Sequence, residues 1–315
     1  MYSIDYLMVL DVCNKYLQYN STNLVPCPLG KLSKNSLLSF VGLLKTHKMF
    51  TILQDLNFLS QLFSADMVAS ISDKAYKKRA MLCWSELTYL VSCLSSNKIN
   101  YCVVKGVALS ELLYSEPYKR GIGDIDIIVR EEDFEKFFNL LISNGYVRTE
   151  ANKIKSPLIY YGVHHHEIGL YRYISGEKIF VEIKKRTSAT NSFELWWPHI
   201  TQKVINGLTL NVLEDNYEIL HLILNAFINN ECFPVFQNCR LRDYYDVAYA
   251  IKYVNISWQA VLDAAEDMKV THQVAAVLHS VKELFSAVGE QVDEVLSLIA
   301  VSYTHLRAHE TGRNL

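Results

Sequence analysis

The chain has 315 residues, 50% of them apolar and 20% charged, with a net charge of −2. That is ample material for one large or two small globular domains. The near-zero charge removes any argument for nucleic-acid binding by bulk electrostatics, and no apolar run is long enough to span a bilayer. Seven cysteines, odd in number and without a C-x-x-C pair, read as reduced thiols of a cytoplasmic protein. The N-terminal stretch carries Asp5 and Asp11 and lacks a basic start with a small-residue cleavage site, so it does not read as a signal peptide.

Residues 1–96 read as an N-terminal helical segment. Tyr6, Leu7, Leu10 and Leu17 recur at helical spacing, Pro26, Pro28 and Gly30 interrupt it, and amphipathic stretches follow at 36–45, 48–63 and 73–96. The last carries an apolar stripe through Cys83, Leu87, Leu90 and Leu94, a packing face for what comes next. Lys77, Lys78 and Arg79 read as a solvated face.

Residues 97–214 alternate between strand and helix patterns and read as a core. Tyr101–Val104 is a short strand, Gly106 opens a helix over about 107–114, and Glu116-Pro117 ends it. Gly121 and Gly123 turn the chain into the strand Asp124–Arg130. A helix over 131–144 starts on Glu131, Glu132 and Asp133, acidic groups that suit the positive end of its dipole. Residues 146–150 and His164–Tyr173 read as strands, and Ser175-Gly176 as a hairpin turn into the returning strand Lys178–Arg186. Trp196-Trp197-Pro198 reads as a short helix serving as a hydrophobic lid or interdomain contact. Asn206-Gly207 turns the chain into the strand Leu208–Leu213. From 215 the pattern is helical, over 215–230, 240–254, 257–268, 271–288 and 290–300. The stretch 301–315 is polar and lacks a stripe. It reads as a non-native tail, and no function is drawn from His305 or His309.

The chemistry concentrates in Lys105–Val129. Residues two apart on a strand share a face, so Asp124 and Asp126 point one way while Ile125, Ile127 and Val129 point into a core. Two adjacent carboxylates repel unless a cation lies between them, and an oxygen-only pair suits Mg²⁺ or Mn²⁺. Glu182 is in phase on the later strand: Val181 and Ile183 share one face, Phe180, Glu182 and Lys184 the other. A glycine at a strand-to-helix junction lets a phosphate approach backbone N–H groups and a helix N-terminus. Anion cradle plus metal carboxylates is the equipment of phosphoryl or nucleotidyl transfer.

Two other clusters compete for notice. In His164-His165-His166-Glu167, His164 and His166 share one face of a strand and His165 and Glu167 the other, so three consecutive histidines cannot ligate one ion, and no cysteine partner stands at zinc spacing. They read as polar residues at the rim of the site, His165 or Glu167 facing an acceptor. Arg242 and Asp246 are i,i+4 neighbours on a helix and read first as an ion pair. The alternative is that Arg242 or Tyr245 reaches a nucleotide.

The stretch KGVALSELLY…PYKRGIGDIDIIV…LISNGY, with FVEIKKR and Leu241-Arg242-Asp243…Asp246-Val247-Ala248 further on, resembles the nucleotidyltransferase superfamily related to DNA polymerase β, and within it a bacterial group. The resemblance covers about residues 80–255 and is sharpest over 103–146. It implies an α+β fold: a nucleotidyltransferase-type mixed β-sheet core flanked by N- and C-terminal helical segments, divided as 1–96, 97–214 and 215–300. It implies Mg²⁺ (or Mn²⁺) bound by Asp124, Asp126 and Glu182, which are also the catalytic residues. Lys105, the Gly106 backbone, Arg120 and Gly123 are the nucleotide-binding residues, with Arg120 as a phosphate clamp or, nearly as well, a structural ion-pair partner. The serine that usually follows the glycine is replaced by Val107, and the usual third aspartate by Glu182. The reaction implied is in-line attack on the α-phosphate of an NTP such as ATP. The acceptor is open, a small molecule or protein fitting better than a long nucleic acid. The alternative is a catalytically inactive nucleotide-binding or protein-interaction module on the same fold.

Overall fold

The computed structural model describes residues 4–19, 41–45, 49, 74–114, 120–149, 167–185, 193–232 and 241–312. The chain divides into two compact units, residues 71–218 and residues 1–70 with 219–315. The first unit reaches further at both ends than the expected core of 97–214, for a physical reason. The helix at 74–96 is the sheet's cover, and Glu218 hydrogen-bonds into the sheet's first turn.

The N-terminal helix Ile4–Tyr19 is α1, and the first unit opens with α2, Lys74–Ser96. It continues through β1 (Tyr101–Val104), α3 (Gly106–Leu113), β2 (Asp124–Val129), α4 (Glu131–Ser143), β3 (Val147–Arg148), β4 (Glu167–Ile174), β5 (Glu177–Lys184), β6 (Ile200–Ile205) and β7 (Leu208–Leu213). The strands form one seven-stranded sheet in the order β3-β4-β5-β2-β1-β7-β6. It is mixed, as expected: β2 runs antiparallel to β1 but parallel to β5, and β1 runs parallel to β7. The hairpin between β4 and β5 turns on Ser175 and Gly176, at φ 48° and 80°, the pair of positive values a two-residue hairpin turn requires.

The alternation predicted for β2 holds. Ile125, Ile127 and Val129 are fully buried and pack with Val181 and Ile183 of β5, with Leu87, Leu90 and Leu94 of α2, and with Phe137 and Leu141 of α4. Each such side chain contributes roughly 1.5–3 kcal/mol on burial. This apolar face, present on both β2 and β5, pins their register, because a slip of one residue would turn every isoleucine outward. Beneath it, Glu86 of α2 is almost fully buried, accepts a hydrogen bond from the Tyr146 hydroxyl and pairs with Arg172 of β4.

Trp196 is core rather than lid. It is fully buried, stacked on Phe193 at 5.8 Å and edge-on to Tyr217 at 6.1 Å. The Arg130 guanidinium lies over the Trp197 ring at 4.7 Å. The aromatic run thus serves its own unit, with Trp197–His199 forming the short 3-10 turn that the proline favours.

The second unit is helical in its described part: α1, then α6 (Leu241–Tyr253), α7 (Trp258–Asp267), α8 (Thr271–Leu284) and α9 (Gly289–Gly312), with α5 (Asp215–Ala226) running into it. Ser257 caps α7, accepting from the Ala260 N–H at 3.2 Å. Asn14 of α1 ties to the Leu284 carbonyl at 3.1 Å and accepts from the Ala287 N–H. The expected helix over 215–230 ends as an α-helix at Ala226 and continues as π-helical winding over Phe227–Cys232, where Asn229 and Asn230 are poor helix formers. Helix α9 runs past the expected stop at 300 to Gly312, a residue type that commonly ends helices. The histidine run 164–166 and the expected helix at 48–63 lie outside the described residues, apart from Met49.

Candidate active site

The parallel pairing of β2 with β5 sets Asp126 opposite Glu182 and Asp124 opposite Phe180. Partners in register share a face, so the two aspartates and Glu182 converge on the face away from the core. One carboxylate oxygen from each of Asp124, Asp126 and Glu182 lies within 4.8 Å of the others. Three hard oxygen donors at that spacing fit a Mg²⁺ or Mn²⁺ ion and offer nothing to a thiolate-loving metal.

Two ammonium groups share this cluster. Lys184, two residues beyond Glu182 on β5, places Nζ 2.9 Å from Asp126 Oδ1 and 2.9 Å from Glu182 Oε2. Lys105 places its Nζ 3.1 Å from the same Asp126 oxygen. Both ammonium groups thus stand within ion-pair distance of the same buried oxygen. Burial alone would push the Asp126 carboxyl up. Lys105 and then Lys184 outweigh it and hold Asp126 well below the usual carboxylate range. Glu182 goes the other way: burial pushes it up to about 7, with Lys184 opposing and the neighbouring Asp126 charge adding. Asp126 is therefore the anion of the pair and Glu182 the member able to hold a proton near neutrality.

The turn between β1 and α3 differs from the glycine-based expectation. Its strained residue is Lys105, at φ 60° and ψ −121°, a backbone state that costs a non-glycine residue on the order of 1–3 kcal/mol. A Cβ at Gly106 would meet only ordinary contacts, 3.6 Å from the Asp124 carbonyl oxygen and 3.8 Å from Ile122. The Lys105 N–H donates to Glu218 Oε1 at 3.0 Å, and the Lys105 carbonyl accepts from the Leu109 N–H at 2.7 Å as α3 begins. Glu218 is nearly fully buried, and burial pushes it up to about 8 despite that hydrogen bond and the charge of Arg120.

The other sequence-predicted residues fall as follows. Arg120 is 3% exposed and acts electrostatically on Glu218, so the ion-pair side of its expected role is the one with a partner in view. Gly123 is exposed, and its carbonyl accepts from Arg79 at 2.6 Å. Arg79 also donates to the Lys178 carbonyl at 3.0 Å. It therefore braces the entry to β2 rather than lying on a solvated face. Arg242 Nε stands 3.9 Å from Asp243 Oδ1, and Tyr245 is fully buried, edge-on to Phe285.

Lys184 and Glu218 are the two members that sequence reasoning passed over. Lys184 had a signal, since it is in phase with Glu182. Glu218 had none, because its role depends on the first turn of α5 meeting a backbone N–H more than a hundred residues earlier.

No helix of the described residues is long and apolar enough to cross a membrane. A family model described as an uncharacterised nucleotidyltransferase matches residues 53–286. No curated protein matches the chain. Among solved structures, an antigenic nucleotidyltransferase-like protein from Paracoccidioides brasiliensis is similar at 12% identity and a TM-score of 0.41, covering 70% of this chain and 93% of that one. The antibiotic-resistance factor ANT(2'')-Ia is similar at 12% identity and a TM-score of 0.36, covering 75% of this chain and 99% of that one.

Proposed function

Since the chain belongs to the family of uncharacterised nucleotidyltransferases, we propose that it transfers a nucleoside monophosphate from an NTP to an acceptor, with Mg²⁺ or Mn²⁺ held by Asp124, Asp126 and Glu182. The observation that carries this reading is the convergence of the three carboxylates within 4.8 Å on one face of the sheet. The ion, when bound, neutralises phosphate charge and aligns the attacking and leaving oxygens.

The chain's own residues supply the rest. Asp126, kept ionised by Lys105 and Lys184, is the fixed anion of the site. An acceptor oxygen attacks the α-phosphorus, the bond from that phosphorus to the bridging oxygen breaks, and pyrophosphate leaves with the electron pair. Glu182, with an affinity for protons near neutrality, is suited to take the acceptor's proton, unless it serves wholly as the third ligand. Lys105, 23% exposed in its side chain, meets the triphosphate together with the Gly106 backbone at the start of α3, while Arg120 and Gly123 hold the turn into β2. Unpaired, largely buried thiols such as Cys83 and Cys102 fit work in the cytoplasm.

One observation favours the alternative, a nucleotide-binding or interaction module without transfer: Asp126 is already matched by two ammonium groups. The deciding experiment incubates the protein with Mg²⁺, each labelled NTP and a pool of acceptors, beside the Asp124→Ala/Asp126→Ala variant. Pyrophosphate release by the wild type alone, abolished by EDTA and restored by Mg²⁺ or Mn²⁺, is the expected result. Equal release from both proteins would remove the carboxylates from the reaction, and none with any NTP would leave the non-catalytic module.

A further inference from the structure

We infer that Lys184 is a built-in cation standing in for one of the two metal ions of a two-metal site, so that the triad loads a single divalent ion. The inference rests on the metal-dependent reading above and specifies its stoichiometry.

The first argument is position. A two-metal phosphoryl-transfer site clamps the attacking and leaving oxygens between ions bridged by shared carboxylates. Here the gap between Asp126 and Glu182 is already bridged by the Lys184 ammonium, at 2.9 Å from an oxygen of each. A second ion in that gap would have to displace it.

The second argument is confinement. The Lys184 side chain is 4% exposed, whereas that of Lys105 is 23% exposed. Lys105 stands at the mouth of the site and can turn to a phosphate. Lys184 is held between strands, its backbone paired with Ile128 of β2.

The third argument is charge. Three carboxylates with Lys184 and one divalent ion are formally neutral, and a second divalent ion beside that ammonium would put like charges in contact, whereas without Lys184 two ions leave only +1 on the cluster. What remains for the single ion is the side of Asp124, which makes no ion pair among the described residues.

The test counts ions without asking for turnover. The full chain, saturated with a non-hydrolysable ATP analogue, is titrated with Mn²⁺ and followed by electron paramagnetic resonance, beside Lys184→Met and Lys184→Arg. The expected result is one Mn²⁺ per wild-type chain with no Mn–Mn coupling, one in K184R, and two coupled ions in K184M. Two coupled ions in the wild type would overturn the inference while leaving the triad as a metal site. A single ion in K184M would also overturn it. A Mn²⁺ signal matching that of the analogue without protein, in all three, would overturn the metal reading and this inference with it. Circular dichroism establishes that K184M is folded, and if it is not, the wild-type count and coupling decide alone.

Discussion

The two faces of β2 and β5 obey different rules although they are made of the same residues in alternation. The back face is Ile125, Ile127, Val129, Val181 and Ile183, uncharged and fully buried. The front face is Asp124, Asp126, Glu182 and Lys184: three carboxylates with oxygens within 4.8 Å of one another and an ammonium 2.9 Å from two of them. The back face is stable by itself and sets the register. On the front face the register sets three carboxylates side by side, and Lys184 and Lys105 offset part of their repulsion. Fold and site are therefore separable by mutation along one strand, residue by residue.

The sharpest break of that separation is at Asp126. Asp126→Ala strips one of two carboxylate partners from the buried Lys184 ammonium and leaves only Glu182, and breaking a buried pair costs about 3–5 kcal/mol. Activity should fall as well, on the order of 10³-fold for a lost metal ligand. Asp124→Ala should lose comparable activity while its unfolding free energy in urea stays within about 0.5 kcal/mol of wild type, since Asp124 anchors no ion pair among the described residues. If the two variants unfold alike, the distinction drawn between the aspartates is wrong. On the back face, Ile127→Ala should cost roughly 2–5 kcal/mol of stability. At a temperature where it remains folded, its kcat should be close to that of the wild type.

A smaller effect sharpens the contrast through pH. Glu218 has a folded-state value of about 8 against an ordinary 4.5. The folded chain thus holds a proton that the unfolded chain has released between those values. Its contribution to stability is full below pH 4.5 and is lost as pH rises through about 8, amounting to on the order of a few kcal/mol. Glu218→Gln should flatten the fall in denaturation midpoint between pH 5 and 8. An unchanged slope would place that proton elsewhere. The smallest effect is at the hairpin: Ser175→Gly, at φ 48°, should raise stability by less than about 1 kcal/mol without altering activity.

Much of this was legible beforehand because it depends on period two. Asp124, Asp126 and Glu182 could be placed on a common face from alternation alone, and the parallel register of Asp126 with Glu182 makes that face one site. What alternation could not supply is the partner of a backbone atom. Lys105, not Gly106, carries the strained backbone, and Glu218 supports it from a helix far along the chain. Trp196 was misplaced for a related reason. A tryptophan pair beside a proline looks exposed in one dimension, and only the stacking of Phe193 and the edge of Tyr217 make it core. Arg79 shows the same limit, since its hydrogen bonds are to carbonyls of two segments distant in sequence.

The parallel neighbour of β2 also bears on how the molecule comes together. The β1–β2 pair joins segments close in sequence, but β2 and β5 lie on either side of α4, β3 and β4. Parallel pairing across so long a connection is the slow kind, because loop closure must precede its reward. The third carboxylate reaches the first two only with that pairing. On the metal-dependent reading proposed above, competence to bind a divalent ion is thus acquired late, and Mn²⁺ binding during refolding would serve as a clock for the closing of the sheet.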